Sequence, residues 1–383
     1  MTCRRLLLPL AAACLCVALP VHAGLPQPLT ATRFAFPGSV PSPASATSAG
    51  LALADRWVGE DVASNPAAAP QSGVTLSPLL LRVSRQDLSA ANREFEQVDL
   101  NFDFAGGQLG TRMRGVNVTL YAYQPQLRLE NQSYLLGRVN STGPRAAVEN
   151  DGSLRETRLG LALGGGGALR VGAAVEWTRR EDRYQFRETS GSPDAGLRDL
   201  AFDGSALGGA AGFRWERAPG ERGGWVLGGG AHFTGALDVT GQQSADLTSG
   251  DSSSDIAASR GSIWDAGASA RWTLSPESGV YGTVGTRSGE TWDEFGVQAA
   301  PGQSWAIGID FRDRETSWGA RVGAGQDVQP GTPEPRATAL GAGVSFYSGE
   351  TVLDLGILHR AVPRPGLPTL SDDRVTASVR VAF

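Results

Sequence analysis

Two histidines and three serines are the residues of this chain that could support nucleophilic catalysis. His232 and His359 fall inside segments of alternating polarity, and Ser269, Ser304 and Ser345 occupy positions that could face one of them. A serine hydrolase needs such a base within hydrogen-bond reach of the nucleophile, and its common motif is Gly-x-Ser-x-Gly. The sequence lacks that motif. This favours a protein that is not an enzyme and leaves a membrane-embedded hydrolase as a minor alternative.

A glycine run and an acidic stretch could be taken for ligand sites. The glycines at 164–167 are followed by no Lys-Ser or Lys-Thr pair, which a phosphate loop requires, and a tight turn accounts for them. The acidic, serine-rich stretch at 246–255 lacks the spacing of a calcium loop. All three cysteines fall in the first 16 residues, which disfavours a zinc site. We expect no metal and no cofactor.

Arginine supplies every basic side chain except histidine, because the sequence contains no lysine. The formal net charge is −5, and no basic patch indicates a nucleic-acid partner. Six arginines stand at polar positions of alternating segments and are candidates for an interior face: Arg170, Arg214, Arg271, Arg312, Arg321 and Arg380. A guanidinium can bind a fatty carboxylate through two hydrogen bonds, but ion pairs between neighbouring strands are the favoured interpretation.

The N-terminus has the layout of a secretory signal. Arg4 and Arg5 precede an apolar run at 6–20, and Val21, His22 and Ala23 form a small-x-small cleavage site. The run is too short for a stable membrane span. We therefore predict a signal peptide at 1–23 with cleavage near Ala23, a separate segment at 24–73, and a main domain at 74–383.

The main domain shows an alternation of apolar and polar residues with period two. In the last segment Val375, Ala377, Val379, Val381 and Phe383 occupy every second position, and such residues share one face of a strand. The same pattern recurs at 98–104, 169–177, 207–215, 264–272 and 305–311. A β-sandwich would bury the apolar face, whereas a membrane barrel would turn it towards lipid.

Three features favour the barrel. The strands are about as long as a tilted strand needs to cross a bilayer. Short links at 164–167, 219–223, 275–278, 313–316 and 348–350 alternate with long polar links at 189–200, 241–258, 289–301, 327–335 and 362–373, as in bacterial outer-membrane barrels. Aromatic residues lie beside the short links and predict an interfacial girdle: Trp215, Trp225, Trp272, Phe311, Trp318 and Phe346.

These patterns predict an all-β, antiparallel transmembrane barrel of about 14 strands. The count depends on 127–139, which could be an outer loop or two further strands, so 12 and 16 also remain possible. The C-terminal strand ending at Phe383 resembles the signal by which barrel-assembly machinery recognises its substrates. We therefore expect a Gram-negative outer-membrane location, with membrane lipids and that machinery as partners.

The segment at 24–73 is rich in proline, alanine and serine and could be a periplasmic tail or a plug in the lumen. Within it, 47–52 reads Thr-Ser-Ala-Gly-Leu-Ala and 59–68 reads Gly-Glu-Asp-Val-Ala-Ser-Asn-Pro-Ala-Ala. These stretches resemble the N-terminal hatch of the FadL-type long-chain fatty acid transporters. The positions that match are Ser48, Gly50, Asn65 and Pro66. The sequence departs from that family at Leu53 and Ala54, where a second glycine is usual, and its acidic run is shortened to Glu60-Asp61.

The resemblance implies a hatched barrel that takes up hydrophobic compounds such as long-chain fatty acids without an energy source. In that family the ligand enters the lumen past the hatch and leaves through a gap in the barrel wall. The alternative is a structural, assembly or secretion-associated barrel that transports nothing.

Overall fold

The fold is known from a computed structural model that describes most of the chain after residue 44. The described residues are 45–68, 73–87, 96–138, 145–189, 196–218, 221–247, 249–292, 297–313, 317–328, 335–364 and 367–382. The signal peptide and Phe383 lie outside them. None of the helices in the described part is long and apolar enough to cross a membrane.

Fourteen strands run through the described residues, five of them in two segments. They are β1 Gly73–Asp87, β2 Glu96–Asp103 with Gly106–Met113, β3 Val116–Arg138, β4 Arg145–Gly166, β5 Leu169–Thr189, β6 Gly196–Arg217, β7 Trp225–Thr234 with Leu237–Leu247, β8 Gly250–Arg260 with Ile263–Ser275, β9 Ser278–Arg287 with Glu290–Trp292, β10 Val297–Ala299 with Gly302–Asp313, β11 Trp318–Val328, β12 Pro335–Ser348, β13 Thr351–Arg364 and β14 Leu367–Ala382.

The strands form one antiparallel sheet that closes on itself. Each strand pairs with its neighbour in the chain, and β1 pairs with β14 from Gly73 opposite Ala382 to Gln86 opposite Leu370. The predicted fold class and the count of fourteen are confirmed. The short turns, the start of β1 and the end of β14 lie at one end of the barrel, which is here called the turn end. The opposite end is called the loop end. The β2–β3 turn has two residues, Arg114 and Gly115, at φ 51° and 87°, as a two-residue hairpin requires.

The predicted long loops are wrong in detail, because strands occupy much of their length. The segment at 127–139 is neither a loop nor two strands, since it continues β3 to Arg138. The polar stretch at 241–258 forms a β7–β8 hairpin from Leu237 opposite Arg260 to Leu247 opposite Gly250. Polar side chains do not distinguish a loop from a strand here, because a strand that extends beyond the bilayer has water on its outer face and needs no apolar side chains there.

The outer surface of the barrel carries an apolar band bounded by aromatic residues. On β5, Leu169, Val171, Val175 and Trp177 point outward and are exposed, and Arg179 follows on the same face. The predicted aromatic residues lie at the turn end, where Trp215 packs edge-on against Trp225 at 4.6 Å between ring centroids. Trp177, Phe233, Trp264 and Trp305 are exposed nearer the loop end. Aromatic residues thus bound the apolar band at both ends, as in membrane-spanning barrels.

The wall is interrupted between β2 and β3. Near the turn end the strands pair from Met113 opposite Val116 to Gly106 opposite Tyr123, and a hydrogen bond from the Gln124 amide to the Ala105 carbonyl follows at 3.1 Å. Beyond it, Glu96–Asp103 pairs with β1 and 126–138 pairs with β4. Within the described residues no ladder joins these two segments, so the wall has a gap towards the loop end.

Residues 45–68 lie inside the barrel and form the hatch. The segment contains a short helix, α1 Ala46–Gly50, a series of turns, and a single 3-10 turn at Pro66–Ala68. Most of its residues are buried, including Leu51, Ala54, Trp57 and Val62. The part of 24–73 that the structure describes is therefore a plug rather than a free tail.

The apolar band makes a prediction about stability. Val175 is the most exposed aliphatic residue of β5, at 67%, so Val175→Arg should destabilise the barrel by about 2–4 kcal/mol in lipid vesicles. Denaturant unfolding in vesicles measures this. The control is Thr240→Arg, on the outward face of β7 beyond the band, which should change the free energy of unfolding by less than about 1 kcal/mol. Equal effects of the two variants would show that the band does not contact lipid.

Candidate functional site: the hatch and the lumen around it

The hatch is organised by its own serines and carboxylates. Ser45 caps α1, where its hydroxyl accepts a hydrogen bond from the Ser48 amide, as N-cap serines do. The hydroxyls of Ser45 and Ser48 donate to Oδ2 of Asp61 at 2.8 and 3.0 Å. Two segments 13 residues apart are thus joined. Ser48, predicted from the sequence as a hatch residue, is one of the groups that fold the hatch.

Polar groups on five strands hold the hatch in the lumen. Gln108 accepts from the Val62 amide at 3.0 Å and donates to the Glu60 carbonyl at 2.9 Å. Arg214 donates to the carbonyls of Val58 and Gly59 at 2.5 and 2.7 Å. The remaining contacts join Ser378 to the Ala46 amide, Ser269 to the Trp57 amide, His232 to the Ser64 carbonyl, Asp265 to Arg56, and Arg380 to Glu60. The tethers surround the hatch on several sides.

The Asn-Pro pair of the hatch fixes its last turn. The Asn65 amide nitrogen donates to the Trp57 carbonyl at 2.7 Å and to the Phe213 carbonyl of β6 at 3.0 Å. Its Oδ1 accepts from the Ala67 amide at 3.0 Å. Asn65 is fully buried, and Pro66 begins the 3-10 turn. This asparagine therefore joins three parts of the plug and its wall, which a simple turn before a strand would not require.

Glycines of the wall provide the space in which the hatch lies. At Gly228 a Cβ atom would overlap the Trp57 carbonyl, and at Gly356 it would overlap the Ala46 carbonyl, so only glycine permits this approach. The hatch residue Gly50 likewise lies against the side chain of Arg321. Other wall glycines that meet the hatch are Gly172, Gly212, Gly230, Gly267, Gly308, Gly323, Gly341 and Gly343. The high glycine content of these strands is the feature of the sequence that corresponds to this packing.

Five of the six candidate arginines are drawn into ion pairs around the turn side of the hatch. Arg170 and Arg214 share Glu216 at 2.7 and 2.6 Å. Arg271 is 3.6 Å from Asp310, and Arg321 is 2.7 Å from Asp354. Arg380 pairs with Glu60 of the hatch. Arg312 stacks on Tyr347, with Cζ 3.9 Å from the ring centroid. Ion pairing dominates the contacts of these arginines.

These arginines surround a polar vestibule beneath the hatch. The cavity has a volume of about 270 Å³ and is lined by Arg214, Arg271, Arg321 and Arg380 together with Asp55, Glu60, Asp61, Asp310 and Asp354. Burial and the negative charge of Asp61 raise the pKa of Asp55 to about 7. The pKa of Asp61 is also raised by burial, with the Ser45 and Ser48 hydrogen bonds opposing that rise. The hatch thus presents charged and polar groups to the turn end.

A chain of buried charges runs from the hatch towards the loop end. His232 lies 3.3 Å from Glu176, and Glu176 lies 3.7 Å from Arg158. The series continues through Arg158–Glu156 at 3.3 Å, Glu156–Arg260 at 3.6 Å, Arg260–Glu290 at 3.9 Å, Glu290–Arg180 at 3.5 Å and Arg180–Asp182 at 2.7 Å. The six arginines predicted for the interior face do not include Arg158, Arg180 or Arg260. The alternation of the sequence carried the signal for them, since each stands at an inward-facing position of its strand.

A small apolar cavity lies between the hatch and β9–β13. Its volume is about 40 Å³, and it is lined by Ala52, Leu53 and Trp57 of the hatch and by Ala306, Ala339 and Leu358 of the wall, with Arg56, Asp327 and Arg360 among its polar residues. A cavity of this size holds a few water molecules at most. The closed hatch therefore leaves little space for a ligand there.

The histidines and serines do not form a hydrolytic pair in the described residues. His232 contacts Glu176 and the Ser64 carbonyl, and His359 is paired with Asp373 at 2.5 Å. Ser269 bonds to Trp57 and Thr283, while Ser345 donates to Asp354. Ser269 and Ser345, which could have faced a histidine, instead have structural partners.

The fold is similar to that of several solved barrels. A Pseudomonas aeruginosa FadL homologue matches with a TM-score of 0.60 at 14% identity, covering 90% of this chain and 100% of the other. The fold is that of the FadL-type barrels. The Ralstonia pickettii toluene transporter TbuX matches with a TM-score of 0.59 at 13% identity over 88% of this chain and 98% of its own.

The CymD monoaromatic hydrocarbon channel matches with a TM-score of 0.58 at 14% identity over 88% of this chain and 97% of its own. No protein-family model matches the sequence, and no curated protein does. The likeness at these identities concerns the fold: a fourteen-stranded barrel with an N-terminal plug.

The glycine contacts predict which wall substitutions displace the hatch. Gly228→Val should force the Trp57 backbone away, because its side chain would overlap the Trp57 carbonyl, and should raise ionic conductance in planar bilayers several-fold. Gly282→Val is the matched control, since a Cβ there meets nothing within 4 Å, and its conductance should equal that of the unchanged protein. Equal conductance of both variants would show that the glycine contact does not hold the hatch.

Proposed function

We propose that this barrel is an outer-membrane channel for the passive uptake of hydrophobic compounds. The observation that carries the proposal is the gap between β2 and β3 beside an apolar edge of the hatch. There Val62 and Ala63 of the hatch pack with Tyr121 and Tyr123 of β3 and with Ala162, Ala174 and Ala210. The last hydrogen bond before the gap, from Gln124 to Ala105, is adjacent to Tyr123. A hydrophobic ligand could pass along this edge from the lumen into the bilayer.

The vestibule beneath the hatch supports a sideways exit. Its charged lining would require a hydrophobic compound to displace ordered polar contacts and gain none. The gap leads instead towards the apolar band of the membrane, where such a compound is soluble. A porin for hydrophilic solutes, by contrast, needs an open aqueous lumen, and here the hatch occupies the lumen.

The size of the hydrophobic ligand has two candidates, a small aromatic compound and a long-chain fatty acid. The solved barrels with a similar fold include a toluene transporter and a monoaromatic hydrocarbon channel, which supports a small hydrophobic compound, whereas the hatch motif resembles that of long-chain fatty acid transporters. The 40 Å³ cavity beside Trp57 fits neither with the hatch closed. In either case the hatch shifts when a ligand passes.

The remaining proposals concern the route of the protein to the membrane. We infer secretion through the signal at 1–23 with cleavage near Ala23, insertion through the assembly machinery by way of the C-terminal strand, and lipid contact through the apolar band. The turn end then faces the periplasm and the loop end faces the outside.

Uptake by liposomes tests the channel directly. The purified barrel, intact and with residues 24–68 deleted, is reconstituted and supplied with labelled toluene, a labelled long-chain fatty acid or a small sugar. The intact protein should accelerate uptake of one hydrophobic compound and exclude the sugar, and the deletion should admit the sugar. If no solute enters through either form, the transport proposal fails and a scaffold or secretion-associated barrel takes its place.

A charge in the apolar edge tests the sideways route. Ala63 is 6% exposed, and Ala63→Asp should lower hydrophobic uptake about tenfold or more, because the path would then contain an unpaired carboxylate. Sugar should still be excluded if the hatch remains in place. Ala63→Ser is the control of similar size without a charge. Unchanged uptake through the Ala63→Asp variant would show that the ligand does not pass along this edge.

A further inference from the structure

Two carboxylates lie inside the hatch rather than on its tethers. Asp55 is 3% exposed, and Asp61 accepts hydrogen bonds from Ser45 and Ser48. Both line the 270 Å³ vestibule. Neither has an ion pair with the wall in the described residues, unlike Arg56 and Glu60 of the same segment. Their role therefore lies within the hatch.

The number of available hydrogens determines how this cluster can bond. The Ser48 hydroxyl has one hydrogen to donate, and it donates that hydrogen to Asp61. No second hydrogen of Ser48 is left for Asp55, whose Oδ1 is buried and has no partner among the described residues. A proton on Asp55 removes the charge that this site leaves without a donor.

The groups that face Asp55 from the wall do not replace this proton. Arg321 of β11 is the nearby cation, but it is paired with Asp354 of β13 at 2.7 Å, and Asp354 also accepts from Ser345 of β12. Across the vestibule, Arg271 of β8 and Tyr281 of β9 are engaged with Asp310 of β10. Among the described residues no group donates to Oδ1 of Asp55.

We propose that Asp55 is a proton-operated latch of the hatch: with its proton it locks the hatch closed, and when it ionises beside Asp61 it loosens the hatch and makes the channel leaky. The charge that appears on ionisation has no hydrogen-bond donor for Oδ1 and lies beside a second carboxylate. Release of the hatch into the water of the vestibule hydrates both. The latch responds to the pH on the turn side of the barrel.

The direction of the pH effect follows from the raised pKa of Asp55. Burial, followed by the charge of Asp61, raises that pKa from 3.8 to about 7 in the docked hatch. Below about pH 4 the group is protonated in the docked and the released hatch alike, so docking is strongest there. Between about pH 4 and 7 each unit of pH weakens docking by up to about tenfold, and the effect is complete above about 7. The positive charge of Arg321 opposes the rise in the pKa of Asp55 and reduces the effect.

Sugar leak from proteoliposomes between pH 5 and 8 tests the latch. The unchanged protein should leak several-fold faster at pH 8 than at pH 5. Asp55→Asn, which keeps the neutral form, should leak at the low rate throughout. Asp251→Asn on the exposed β7–β8 hairpin is the matched control and should retain the pH dependence. A leak that is independent of pH in the unchanged protein, or a pH dependence that survives in Asp55→Asn, overturns the proposal.

A second measurement covers the case in which Asp55→Asn fails to assemble. Because every cysteine falls in the first 16 residues, Ala54→Cys places a single thiol in the buried hatch of the secreted chain. Its labelling rate, divided by that of Ser253→Cys on the exposed hairpin, should rise several-fold from pH 5 to 8, whereas a constant ratio overturns the latch. Neither readout uses a hydrophobic ligand, so the latch and the transport proposal can fail independently.

Discussion

The lumen of a fourteen-stranded barrel is wider than its inward side chains can fill, and most of this structure answers that constraint. Eight strands enclose a space that side chains can occupy, while sixteen leave an aqueous channel. Here the hatch supplies the missing volume, and wall glycines such as Gly228 and Gly356 let its backbone lie directly on the strands. The closed sheet satisfies the hydrogen-bonding groups of the backbone in the bilayer, and the hatch determines what passes through the lumen.

The charged residues of the lumen are arranged differently on the two sides of the hatch. Beneath the hatch, arginines and carboxylates surround a polar vestibule. Above it, the series from His232 to Asp182 crosses the lumen in buried pairs, several of which are longer than hydrogen bonds. Among the described residues, apolar surface beside the hatch includes the small cavity next to Trp57 and the edge at Val62 and Ala63. That arrangement places the wall gap next to an apolar part of the plug.

Alternation of residues such as Val171, Val175 and Trp177 was sufficient to predict the barrel and its strand count, because lipid and lumen impose opposite demands on successive side chains. It failed at 127–139 and 241–258, where strands extend into water and alternation carries no apolar signal. The hatch positions Ser48, Gly50, Asn65 and Pro66 were found by resemblance. Their contacts with Asp61, Arg321 and Phe213 could not be predicted, since they join parts of the chain that only barrel closure brings together.

The position of α1 has a consequence for the order of biogenesis. The hatch precedes β1 in the chain, yet its helix packs against β12, β13 and β14, the last strands to be made. The sheet is sealed where β1 meets β14, beside the strands that α1 contacts. The contacts of α1 therefore form only when the last strands are in place, so the hatch is synthesised first and completed last.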